Sequence, residues 1–178
     1  MRLFAAIDIP EEVRRNLRDL IGRLRPTAAI AWSRVENMHI TTKFIGEWPE
    51  DRLEEMKLAL RGAGSPGAIE IRVRGLGWFP NLRNPRVFWA GIESGPALAM
   101  LAKSTETAVA KIGVPVEERE FSPHLTLARI RDRVPLEALL RAIGALPQPD
   151  FGSFAATSFS LYLSRDGQYT KLSEFMLA

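Results

Sequence analysis

The chain has 178 residues, 46% hydrophobic and 25% charged, with no cysteine and a formal net charge of +3. That composition excludes a disordered or fibrous protein, and the missing cysteine excludes a disulfide scaffold, a thiolate zinc site and a cysteine nucleophile. The mild positive balance admits an anionic ligand. Arginine far outnumbers lysine, with groups around 72–86 and 129–133, and guanidinium forks suit phosphate, although a single arginine is usually a solvated surface group.

In chain order, residues 1–10 hold a short apolar run broken by Asp8 and followed by Glu11 and Glu12. This reads as a first strand rather than a signal peptide. No stretch approaches the roughly 20 apolar residues of a membrane span. With no cysteine, a cytoplasmic protein free of the membrane is expected. Val13, Leu17, Leu20, Ile21 and Leu24 recur at helical spacing and predict a helix over 10–24. A strand beginning at His39 follows, then Trp48-Pro49-Glu50 opens a helix through Leu53, Met56 and Leu60. Ile69, Ile71 and Val73 alternate with Glu70, Arg72 and Arg74 in a strand over 69–79.

The pattern then repeats. R-V-F-W-A-G-I-E from Arg86 resembles R-L-F-A-A-I-D-I from Arg2, 84 residues earlier, and H-L-T-L-A-R-I from His124 resembles H-I-T-T-K-F-I from His39, 85 residues earlier. Between them lies a helix over 96–112. After them Val134-Pro135-Leu136-Glu137 opens a helix through Leu139, Leu140 and Ile143. A strand over 154–163 closes the second copy, and a strand over 169–176 returns after the hairpin signal Asp166-Gly167. The expectation is an α+β fold, one bilobal domain over 1–178. It has two pseudo-symmetric β-α-β-α-β units at about 1–80 and 86–165 and a final strand over 168–177. Antiparallel sheets would face a central cleft, where ligands bind. A closed domain of this kind is expected to be a monomer.

The repeated strand carries both histidines of the chain, each with threonine two residues on: His39-Ile40-Thr41 and His124-Leu125-Thr126. Residues i and i+2 of a strand share a face. His39 and Thr41 therefore project together, as do His124 and Thr126, with Ile40, Thr42, Leu125 and Leu127 on the buried side. Only eight residues are threonine, so two such pairs at equivalent places of a repeat are not a coincidence of composition. Zinc catalysis wants three protein ligands, and the repeat supplies two nitrogens. A serine triad gives no reason for symmetry. Acid–base chemistry on a phosphodiester gives one: in-line displacement needs a proton-transfer group on each side, and two imidazoles with ordinary values near pH 6.5 serve as base and acid. The hydroxyls of Thr41 and Thr126 can donate to the non-bridging oxygens. No metal and no cofactor is required.

The chain resembles the two-histidine phosphoesterase superfamily, and within it the RNA 2′,3′-cyclic phosphodiesterases, historically called 2′-5′ RNA ligases. The resemblance runs through R-L-F-A-A-I-D-I-P, N-M-H-I-T-T-K-F-I-G-E, G-W-F-P, P-R-V-F-W-A-G, F-S-P-H-L-T-L-A-R and L-Y-L-S-R-D-G-Q-Y. Thr42 departs from the usual aliphatic residue, on the buried side. The resemblance implies metal-independent opening of a 2′,3′-cyclic phosphate at an RNA 3′ end to the 2′-phosphomonoester. It also implies His124 as proton acceptor and His39 as proton donor. The residues alone do not assign those roles, since the halves are nearly symmetric. Alternatives are 2′-5′ RNA ligation, a small cyclic nucleotide as substrate, or a non-catalytic nucleotide- or RNA-binding module, which would need no matched acid and base.

Three further residues are candidates for substrate binding. Phe44 and Arg129 both lie five residues after their histidine, so a ring and a guanidinium plane can sandwich a base. Strict alternation puts them on the wrong face, so this requires a bulge or twist. Lys43 falls on the histidine face, within reach of RNA phosphates. Trp32, Trp78, Trp89 and Tyr169 are expected to be packing residues.

Overall fold

A computed structural model describes residues 1–177. The elements follow in chain order. β1 (Arg2–Asp8), α1 (Glu11–Leu24), β2 (Ala31–Trp32), β3 (His39–Glu47), α2 (Leu53–Arg61) and β4 (Ile69–Phe79) make the first half. β5 (Val87–Glu93), α3 (Ala97–Ala110), β6 (His124–Arg129), α4 (Glu137–Gly144), β7 (Asp150–Ala156), β8 (Ser158–Arg165) and β9 (Gln168–Met176) make the second. The helical stripe of α1 is buried at Val13, Leu17, Leu20, Ile21 and Leu24, and Glu11 and Glu12 sit at its positive end. The β8–β9 hairpin turns on Asp166 and Gly167, both at positive φ (53° and 75°), the conformation that an Asp-Gly turn favours.

The strands form two antiparallel sheets, β3-β1-β8-β9 and β2-β6-β5-β4-β7. Neither sheet belongs to one half of the sequence. β8, from the second half, pairs with β1, while β4, from the first, pairs with β5. The helices cross over too: α1 packs on β7 of the five-stranded sheet, and α3 packs on β3 of the four-stranded one beside α2. The expected single strand over 154–163 is two strands in different sheets. β7 is an edge strand against β4, Thr157 leaves the ladder, and β8 enters between β1 and β9.

The helices cover one face of each sheet. Leu3, Ala5 and Ile7 of β1, Ile40 of β3, Phe88 and Ala90 of β5, and Leu125 and Leu127 of β6 all join one core there. Phe4, Ala6 and Tyr162 form a separate small cluster on the opposite face of the four-stranded sheet. The histidine strands β3 and β6 approach each other where the sheets meet.

The pairing also corrects the 84-residue alignment of β1 with β5. Ala6 lies opposite Thr41 and Asp8 opposite His39, whereas Trp89 lies opposite Thr126 and Gly91 opposite His124. The true counterparts are Ala6 with Trp89 and Asp8 with Gly91, one residue off the alignment by letters. A one-residue slip exchanges the two faces of a strand. Phe4 accordingly lies on the cleft face while Phe88 is fully buried in the core.

Candidate active site

His39 and His124 are each the first residue of their strand, β3 and β6. The His39 ring holds Nδ1 3.0 Å from the Asn37 carbonyl oxygen, and the His124 ring holds Nδ1 2.9 Å from that of Ser122. A carbonyl only accepts, so Nδ1 carries the hydrogen and donates it, leaving Nε2 of both rings for chemistry. Thr41 and Thr126 follow on the same faces, as expected from their spacing.

Each imidazole rests on an aromatic ring from the strand two places over. Tyr162 of β8 packs on His39 with centroids 4.5 Å apart, and Phe79 of β4 meets His124 edge-on at 5.0 Å. Phe4 and Tyr169 complete the wall around His39, at 6.2 and 5.8 Å. Tyr169 is therefore both a packing residue and part of the site wall, 40% exposed. Trp89 lies flat over Gly77, where a Cβ would sit 2.1 Å from its ring, so glycine makes room for the indole. Trp32 packs edge-on against Phe88 and Trp78 stacks on it, as expected of packing residues.

Around His39 stands a polar group that sequence reading missed. Asp8 accepts a short hydrogen bond from the Tyr162 hydroxyl through Oδ1 and one from Lys171 Nζ at 2.6 Å through Oδ2. Its Oδ1 lies 3.6 Å from His39 Nε2. Burial works to raise the Asp8 carboxyl, but the hydrogen bonds from Lys171 and Tyr162 and the nearby positive charge outweigh it and hold it below the ordinary carboxylate value. Burial pushes the Tyr162 phenol up, and its bond to Asp8 adds to this. Burial likewise pushes His39 below its ordinary value, against the opposing pull of the Asn37 carbonyl and the Asp8 charge. The available signal was positional: Asp8 shares a face with Phe4 and Ala6 and closes the apolar run 3–7 of β1.

The bulges decide the three remaining candidates. In β3, Thr41 faces Ala6 and Lys43 faces Ala5, so Thr42 has no partner; in β6, Thr126 faces Trp89 and Ala128 faces Phe88, so Leu127 has none. The Thr42 hydroxyl donates to the Ala5 carbonyl at 3.2 Å, satisfying a group beside the bulge. Beyond each bulge the alternation is reversed. Phe44 is thereby turned outward, 72% exposed, with its ring 6.4 Å from Phe4, and Arg129 is exposed on the face of His124. The same bulge corrects the placement of Lys43. It does not share the histidine face but is buried on the helix side, where Nζ donates to Glu106 of α3 at 3.0 Å and to the Pro115 carbonyl at 3.2 Å.

Among the described residues, no group of three or more His, Cys, Asp or Glu side chains is arranged to hold a metal ion, and no helix is long and apolar enough to cross a membrane.

A duplicated fold in which two antiparallel sheets each present a His-x-Thr pair defines a two-histidine phosphoesterase. The LigT-like phosphoesterase family model matches the chain twice, over residues 7–89 and 92–169. An RNA 2′,3′-cyclic phosphodiesterase of Methanothermobacter thermautotrophicus is 33% identical over 167 residues, 90% of this chain and 88% of the relative. One of Methanocaldococcus jannaschii is 35% identical, covering 92% of this chain and 91% of the relative. Among solved structures, a protein of Thermus thermophilus superposes with a TM-score of 0.80 at 32% identity, covering 99% of this chain and 98% of that one. Escherichia coli LigT complexed with 3′-AMP superposes with a TM-score of 0.79 at 27% identity, covering 99% and 97%. The chain belongs to the LigT-like phosphoesterase family.

Proposed function

We propose that the protein hydrolyses RNA 2′,3′-cyclic phosphate ends to 2′-phosphomonoesters by acid–base catalysis between His39 and His124, with no metal ion. The observation that carries this is the repeated imidazole geometry: two rings in equivalent places, each with Nδ1 tied to a backbone carbonyl and Nε2 left over. His124 Nε2 takes a proton from water as the water oxygen attacks phosphorus. The bond from phosphorus to the 3′ oxygen breaks, and His39 Nε2 gives its proton to that oxygen. Thr41 and Thr126 donate to the non-bridging oxygens as negative charge builds on them. Phe44 and Arg129 hold the terminal base between a ring and a guanidinium plane. The names of the relatives, RNA 2′,3′-cyclic phosphodiesterases at 33–35% identity over most of the chain, support the substrate class. So do the structures of Escherichia coli LigT complexed with 3′-AMP and with phosphate.

The test is an RNA oligonucleotide ending in a 2′,3′-cyclic phosphate, incubated in EDTA with wild type, His39→Ala and His124→Ala. The expected product is heavier by one water, with its new end sensitive to phosphatase and the phosphate on the 2′ oxygen. Each variant should lose about 10²–10⁴-fold in rate. No turnover leaves only a binding cleft, and turnover that survives both substitutions removes the two histidines from the chemistry. Dependence on added metal overturns the mechanism.

A further inference from the structure

We infer that Asp8 is a positioning residue that sets the two histidines apart, keeping His39 as the member of the pair that carries the proton; this rests on the reading of the cleft as a phosphodiesterase site. The duplicated frame makes the case. The strands that carry the two histidines are framed alike, and the carboxylate stands beside only one of them. Tyr162 under His39 corresponds to Phe79 under His124, and Asp8 opposite His39 corresponds to Gly91 opposite His124. The second half is closed to the same device: a Cβ at Gly91 would lie 2.5 Å from the Arg74 carbonyl oxygen. Two imidazoles on equivalent strands need an asymmetry of charge to divide their labour, and the anion beside one of them supplies it.

The charge around His39 comes from several elements. Asp8 of β1 stands 3.6 Å from Nε2. Lys171 of β9 and Arg14 of α1 oppose it, and Tyr162 of β8 and Tyr169 of β9 contribute rings, with the Tyr162 hydroxyl donating to Asp8. Lys171 is bound to Oδ2, the oxygen other than the one nearest His39, so the imidazolium meets the anion before the cation. Tyr162 and Lys171 together fix the carboxylate so that Oδ1 stays at His39 Nε2, aimed where a leaving oxygen must receive its proton. Of the groups around His39, Asp8 is one that favours the proton, although burial still leaves the ring below its ordinary value. Burial alone would strip the proton from His39, and Asp8 opposes that.

The experiment uses the fact that the chain has only two histidines, so an NMR titration shows two imidazoles, assigned with His39→Gln. In Asp8→Asn the His39 titration should move to lower pH by about one pH unit while that of His124 stays in place. In Lys171→Met, an exposed change that does not test folding, it should move the opposite way. A residue that merely props up the structure does not produce opposite shifts from the two members of one ion pair. In turnover of the cyclic-phosphate RNA, Asp8→Asn should move the basic limb of the pH–rate profile down by the same amount. That leaves the acidic limb and KM unchanged and costs about tenfold in kcat on the alkaline side. Turnover with an unmoved His39 titration overturns the inference alone, as does movement of the acidic limb in place of the basic one. A wild type that does not turn the RNA over sinks the phosphodiesterase reading, while the titration still decides whether Asp8 acts on His39.

Discussion

At the scale of single residues, the first half of the site is built around charge and the second around apolar packing, and this shows in how the fold responds to acid. His39 sits below its ordinary value of 6.5 because it is buried, so in the window just below 6.5 the unfolded chain binds more protons than the folded one. Stability therefore rises with pH through that window and is lost as pH falls. Asp8, buried but held down by Lys171 and Tyr162, acts in the same sense lower on the scale: its contribution is present above its ordinary value of 3.8 and lost as pH falls through the folded value. Thermal melts from pH 8 to pH 3 should show two losses of Tm, one beginning near 6.5 and one near 4. His39→Gln should abolish the first. Asp8→Asn should shrink the second and deepen the first, because His39 then loses the charge that opposes its burial. A Tm profile that is flat across pH 6.5 in wild type contradicts the burial argument.

The elements decide which way those residues point, and here sequence reading succeeds and fails for one reason. The His-x-Thr pairs were legible because they precede the bulges and obey strict alternation. Lys43 was misplaced because a bulge leaves no mark in the pattern when the residues around it, Thr42 and Lys43, are both polar and yet both buried. Phe44 and Arg129 were recognised as equivalent by their common distance from histidine, and a bulge was needed to bring them to the site; one stands in each strand. The two faces of β3 should therefore separate in experiment. Lys43→Ala leaves the Glu106 carboxylate with its cation gone in a largely buried setting and should cost about 3 kcal/mol in denaturant unfolding, with the turnover of the surviving folded protein near that of wild type. Phe44→Ala should do the reverse, leaving the unfolding midpoint unchanged and raising KM for the RNA end by roughly tenfold, the loss of one base stack. Loss of affinity in Lys43→Ala without loss of stability would return Lys43 to the substrate face.

For the molecule as a whole, the repeat that is plain in the letters does not divide the structure along the same line. Helix and strand types follow from local periodicity, and they emerged in the expected order. Which sheet a strand joins is a long-range matter, and nothing at Thr157 announces that the chain leaves one sheet for the other; no glycine or proline marks the crossing. The exchange has a consequence for folding. In a fragment ending near residue 85, β1 lacks β8 on one side, β4 lacks both β5 and β7, and the apolar stripe of α1 has no sheet to cover. The complementary fragment is as poorly furnished, with β8 and β5 each missing the neighbour that the other half supplies. We expect neither fragment alone to show a cooperative melt or dispersed amide resonances, the full chain to unfold in a single transition, and an equimolar mixture of the two fragments to recover native-like dispersion. Because β1 and β5 are central strands that gain a neighbour on both edges only in the assembled sheets, recovery should depend on concentration, as it does for any two chains that must associate before either can fold. Two separate transitions in the intact chain, or an independently folded first fragment, would show that each half completes its own core and that the exchanged strands are accessory to it.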